Sequence, residues 1–194
     1  MRLFWGHLGR PGRSSPTIKH LQSSLNRAII KPRKAVNLLD NTTIYEYILS
    51  RITEDLAPFG YKRSGKSTLF YRYSADGKVA CGIQMQKSMC NCPDWYSFTF
   101  NLGCIALYNL NGYYKDKLTL EPLKLALQGF GLDSYRLGHI CRGHDYWWEI
   151  TDEILQDFSI EEYYDCFLHS DILKGARVLD EQAREKECVY SKSE

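Results

Sequence analysis

Four sets of residues have types and spacings that chemistry uses. Gly60-Tyr-Lys-Arg-Ser-Gly-Lys-Ser67 satisfies the G-x-x-x-x-G-K-[ST] pattern of a phosphate-binding loop. In such a loop, backbone amides cradle phosphates, the lysine reaches the outer oxygens and the hydroxyl binds magnesium. That chemistry needs a strand before the loop and a helix after it, because the helix N-terminus supplies half of the anion site. Here a helical pattern precedes Gly60 and the β-rich run Thr68-Leu-Phe-Tyr-Arg-Tyr73 follows. The segment therefore reads as a helix-to-strand turn whose glycines take positive φ, and nucleotide hydrolysis is set aside.

Cys90-Asn-Cys92 together with His139-Ile-Cys141-Arg-Gly-His144 offers soft ligands for zinc. Structural zinc sites favour two to four residues between paired cysteines, so no metal and no cofactor is assigned. A thiol nucleophile could be drawn from Cys90, Cys92 or Cys141 with His139 or His144 as its base, but no neighbour marks one thiol as activated. Asp145, Glu149, Asp152 and Glu153 surround Trp147-Trp148. Carboxylates beside aromatic rings suit a sugar site. The same pattern also describes a strand end that packs tryptophans on a core. The fourth set is a polar sheet face. If two neighbouring strands pair, Gln84, Gln86, Ser97, Thr99 and Asn101 share one surface that can bind a peptide, a base or a protein.

These side chains need strands to hold them. Val79, Cys81, Ile83 and Met85 alternate with Ala80, Gly82, Gln84 and Gln86. Tyr96, Phe98, Phe100, Leu102 and Cys104 alternate with Ser97, Thr99, Asn101 and Gly103. Period two gives each strand one apolar and one polar or small face, as in an antiparallel sheet with one face on a core. Strands are expected over about 67–73, 78–87 and 95–107. The first two join through the tight turn Ser74-Ala-Asp-Gly77. A fourth and a fifth are expected over Ser134–Ile140 and Tyr146–Ile150, around Arg142-Gly143.

Helices frame this meander. Thr43-Ile-Tyr-Glu46 has the form of a capping box, and Ile44, Ile48, Ile52 and Leu56 recur every four residues until Pro58 and Gly60. Ser159-Ile-Glu-Glu162 is a second capping box ahead of Ile160, Tyr163, Tyr164, Phe167 and Leu168. Short helices are expected over Leu21–Ile30, Thr119–Gln128 and Asp152–Asp157, with a loop over Tyr108–Lys117. A last helix from Asp171 turns Ile172, Leu173, Ala176, Leu179 and Ala183 inward, with a polar tail from Glu185. The expected class is α+β: an antiparallel sheet of four to five strands, with an N-terminal helix and C-terminal helices packed on one face.

The 194 residues suffice for one domain, and a net charge of +2 conceals an asymmetry. Residues 1–39 hold eight Lys or Arg and no acid, leaving 17 basic and 23 acidic residues, a net of −6, for the rest. The expected organisation is a basic, disordered extension over 1–40, a domain over 41–186 and a polar tail over 187–194. No apolar run is long enough for a transmembrane helix, and no secretory leader is visible. Seven irregularly spaced cysteines read as reduced thiols of a cytoplasmic protein.

Gly60-Tyr-Lys-Arg-Ser-Gly-Lys-Ser-Thr-Leu-Phe-Tyr-Arg72 resembles the opening motif of the DUF4304 family, a bacterial domain of unknown function. Gln84-Met-Gln-Lys-Ser88, Phe98-Thr-Phe-Asn-Leu-Gly103, Arg136-Leu-Gly138 and Trp147-Trp-Glu-Ile150 resemble that family's later motifs in order and spacing, over about residues 43–168. The resemblance carries no catalytic residues. Small bacterial proteins of this kind often act as immunity or accessory proteins. The candidate binding residues are Arg72, Gln84, Gln86, Ser97, Thr99, Asn101, Trp147, Trp148 and Glu149. The favoured function is binding to a protein partner, one with a basic surface given the acidic domain. The alternatives are a small enzyme with its site around Trp147, Trp148, Glu149 and the polar sheet face, and nucleic-acid binding through the basic N-terminal arm.

Overall fold

A computed structural model describes residues 41–107, 120–130 and 134–191. The basic extension, the helix expected over Leu21–Ile30 and the loop expected over Tyr108–Lys117 lie outside the described residues. Six strands form one antiparallel sheet: β1 (Lys62–Arg63), β2 (Leu69–Tyr73), β3 (Val79–Lys87), β4 (Trp95–Ala106), β5 (Ser134–Arg136) and β6 (Trp148–Thr151). The order is β1-β2-β3-β4, with both β5 and β6 pairing β4 on its far side. The helices are α1 (Asn41–Leu56), α2 (Glu121–Leu125, continued by a π-helical turn over Ala126–Phe130), α3 (Leu137–Arg142), α4 (Asp152–Asp157), α5 (Ile160–Phe167) and α6 (His169–Ser191).

The period-two reading carries into the packing. Val79, Cys81, Ile83, Met85, Tyr96, Phe98, Phe100, Leu102 and Cys104 are all buried in one core, with α1, α3, α5 and α6 on that face. Ile48, Ile52 and Leu56 of α1 are fully buried, each such side chain contributing about 1.5–3 kcal/mol. Close approach matters at Gly175 of α6. A Cβ there would lie 2.8 Å from Leu137 Cδ1 and 2.9 Å from Leu102 Cδ2.

The β2–β3 turn closes as its composition predicts. Gly77 takes φ 72°, Ser74 N–H donates to the Val79 carbonyl at 2.8 Å, and the Asp76 carboxylate accepts from the Ser74 hydroxyl and the Lys78 amide. The second capping box is formed in full, by bonds of 3.2 Å to the Ser159 hydroxyl and 2.9 Å to the Glu162 carboxylate.

Three expectations are corrected. Leu137–Ile140, expected in a strand, belongs to α3, which ends at Gly143 in the left-handed region at φ 77°. β5 and β6 thus run as one strand beside β4, broken by a helical excursion. Thr43 lies inside α1, which already runs from Asn41, and Glu46 reaches Arg63 at 3.5 Å. α6 continues to Ser191, into the stretch expected to form a polar tail.

The second face of the sheet is not simply open. Gly82 leaves room for the helix over 121–130: a Cβ there would lie 2.9 Å from Leu123 Cδ2 and 3.0 Å from Leu127 Cδ1. Leu123 and Leu127 bury Leu69 and Ala80 in a separate small core, flanked by Tyr71, Tyr73 and Ile105.

Candidate functional site

β3 and β4 pair with Gln84 opposite Asn101 and Gln86 opposite Thr99. β5 places Arg136 on the far side of Asn101. Residues directly opposite each other point to the same face, so Gln84, Asn101 and Arg136 form one row across three strands. The small core of the 121–130 helix covers one end of this face. Beside it lies a cleft of about 400 Å³. Gln84, Gln86 and Asn101 form its floor, Leu127 and Gln128 one wall, and Ser134, Tyr135 and Arg136 the other. Asn101 Nδ2 donates to Gln86 Oε1 at 3.0 Å, which fixes the orientation of two of the amides.

Arg136 is the one ionised side chain in this lining. Its guanidinium lies over the Trp147 ring, 5.3 Å from the centroid, and its Nε is 3.9 Å from the half-exposed Asp145 carboxylate. The Nη1 atom is buried and has no hydrogen-bond partner. No carboxylate, imidazole or thiol lines the described cleft. Its groups can donate, accept and attract an anion.

The other sequence-derived candidates go elsewhere. Ser97 and Thr99 share the register of the polar face but are buried, and the Thr99 hydroxyl donates to the Tyr146 carbonyl at 3.1 Å. Trp148 is in the main core, edge-on to Phe100 at 5.5 Å, and its indole N–H donates to the Phe167 carbonyl. Trp147 precedes β6 and lies under the Arg136 guanidinium while Trp148 is in the core, so the two do not build one site. Glu149 is exposed, opposite Ser97. Arg72 sits opposite Cys81 on the core face and pairs with Asp180 of α6.

The Gly60–Ser67 turn follows a helix and leads into β2. Gly60 and Gly65 take φ 78° and 57°, and Arg63 binds the Ser67 and Lys66 carbonyls. Cys90 and Cys92 are exposed in the β3–β4 connection, while His139 and Cys141 are on α3. Among the described residues, no group of three or more His, Cys, Asp and Glu is placed to hold a metal ion. Burial pushes the Cys141 thiol up to about 11, the opposite of an activated nucleophile.

Sequence reasoning missed Arg136, Gln128, Ser134 and Tyr135 as parts of this cleft. Arg136 did stand in one of the motifs, Arg136-Leu-Gly138, but its place beside Asn101 depends on a long-range strand pairing. Asp55 was missed as well. Its carboxylate accepts from Tyr164 and pairs with His169, both at 2.7 Å, and ties α1 to the α5–α6 junction.

The model of the DUF4304 family, a domain of unknown function, matches residues 52–174. No curated protein and no solved structure matches the chain.

Proposed function

We propose that this chain, which belongs to the DUF4304 family, is a binding module whose recognition site is the amide-lined cleft. The lining itself carries the reading: carboxamides, hydroxyls and a single guanidinium. General acid–base catalysis needs a group that titrates near the working pH, and carboxamides do not. A rigid sheet floor suits recognition, because its side chains are held in register before a ligand arrives.

A protein with a basic surface is the proposed partner. Residues 145–168 contain eight Asp or Glu and no Lys or Arg. Glu153, Asp157, Glu161, Glu162 and Asp165 among them are exposed. Complementary charge of this kind accelerates encounter and restricts the choice of partner. The module would act as an accessory or immunity protein in the bacterial cytoplasm, a setting that suits a chain with seven cysteines. Among the described residues, no helix is long and apolar enough to cross a membrane.

The test is affinity purification of the tagged full-length protein from its host, with quantitative mass spectrometry across a salt series. The expected result is one stoichiometric partner with a basic surface, recovered less well as salt rises. Recovery of no stoichiometric protein, or turnover of a small molecule by the purified chain, would overturn the reading.

A further inference from the structure

Resting on the reading of the cleft as a recognition site, the geometry points to its ligand class: a monoanionic carboxylate next to amide groups, as at a peptide C-terminus or in a free N-acylated amino acid. Arg136 supplies the anion site. Its guanidinium lies over Trp147, 5.3 Å from the ring centroid, a contact that favours one orientation before a ligand binds. Nη1 is buried and without a partner, so the fold itself leaves part of this guanidinium's hydrogen-bonding capacity unused. Among the buried side-chain atoms left unpaired, those of Arg51, Tyr61, Arg72, Tyr96 and Gln182 belong to residues outside the cleft.

The charge balance selects a monoanion. One arginine, with Asp145 3.9 Å from its Nε, leaves little net positive charge, and the lining has no lysine and no second arginine. A phosphate dianion ordinarily needs several cations or a nest of backbone amides, whereas one guanidinium matches the charge of one carboxylate. The rest of the lining specifies what adjoins the carboxylate. Gln84, Gln86, Asn101 and Gln128 each combine a donor and an acceptor on one group, the complement of a peptide unit. About 400 Å³ accommodates the last two or three residues of a chain.

The test uses the full-length protein and a library of tetrapeptides with randomised sequence, prepared once as free acids and once as C-terminal amides. Binding is read by ¹⁵N-labelled NMR at the Trp147 indole, the carboxamides and the β3–β5 amides. N-acetyl-glycylglycine and inorganic phosphate serve as further probes. Free-acid peptides should bind with shifts confined to the cleft, and their amides about 10- to 100-fold more weakly, the loss expected for a charge-assisted pair. Arg136→Gln should remove that difference. Gln86→Ala, at an exposed position, should weaken both sets by a few-fold and serves if Arg136→Gln does not fold.

If N-acetyl-glycylglycine binds as well as the tetrapeptides, the source is the free amino-acid derivative; if only the longer peptides bind, it is a chain terminus. Equal binding of acids and amides, preference for phosphate, or no cleft shifts with any probe would overturn the carboxylate assignment. Recovery of a stoichiometric partner with Arg136→Gln would then show that the binding-module reading survives it.

Discussion

Arg72 and Arg136 show how one residue type takes opposite roles according to strand register. Arg72 faces α6, where it pairs with Asp180 and lies over the Tyr61 ring at 5.4 Å. Both partners are about one-fifth exposed, so the pair is only partly screened by water. Removing one partner of a buried pair leaves the other charge uncompensated, whereas replacing both with apolar groups is often neutral. Asp180→Ala should therefore destabilise the fold by roughly 2–3 kcal/mol, less than for a fully buried pair. The Arg72→Met, Asp180→Leu double variant should recover most of that loss. Urea denaturation of the three variants checks this, and an Asp180→Ala midpoint equal to the parent's would contradict a structural role for the pair. The counter-charge of Arg136 is more distant and more exposed. Asp145 stands 3.9 Å from Nε and is half exposed, and the buried Nη1 stays unfilled.

At the scale of elements, the sheet's two faces carry two cores with different partners, and Gly82 is the contact on which the smaller depends. Gly82→Val would drive its side chain into Leu123 and Leu127, at about 1–2 kcal/mol by overpacking. Hydrogen exchange should then accelerate over 121–130 while β4 and α6 keep their protection, because the main core lies on the opposite face. A uniform loss of protection would show that the two cores unfold as one. The meander and the floor of the cleft were legible in the sequence because Val79–Gln86 and Tyr96–Cys104 alternate without a break. Helix α3 was not, since Leu137, Ile140 and Cys141 fit i, i+3, i+4 as well as a strand, and short apolar runs do not separate the two. The reach of α6 was missed for a different reason. Its apolar stripe ends at Ala183, but Glu, Lys, Arg and Gln sustain a helix without burial. Arg136's part in the cleft depends on where the chain returns after α2, which no local pattern encodes.

The whole molecule is stabilised by keeping many acidic protons in place. Burial raises the Tyr96, Tyr163 and Tyr164 hydroxyls above their ordinary value of 10.0. The Cys104 thiol hydrogen-bonded to it, together with burial, raises the Cys81 thiol above 9.0. The unfolded chain loses these protons first as pH rises, so it binds fewer protons than the native state and stability falls. The contribution is fully present below about pH 9 and declines from there upward. The urea midpoint should thus be flat with respect to these groups at neutral pH and drop steadily between about pH 9 and 10.5. A midpoint unchanged to pH 10.5 would contradict their burial as neutral groups. The outline of the sheet has a further consequence. One border is Lys62–Arg63, and the other consists of the three residues of β5 and the four of β6. Neither side, among the described residues, presents a long rail of unsatisfied main-chain groups, and one rail end is doubly charged. Copies of the protein therefore have little to zip onto, and a visiting chain cannot join as an additional ribbon. Whatever docks must be read across the broad surface, through its chemical groups rather than its repeating backbone, so discrimination between visitors falls to a handful of side chains.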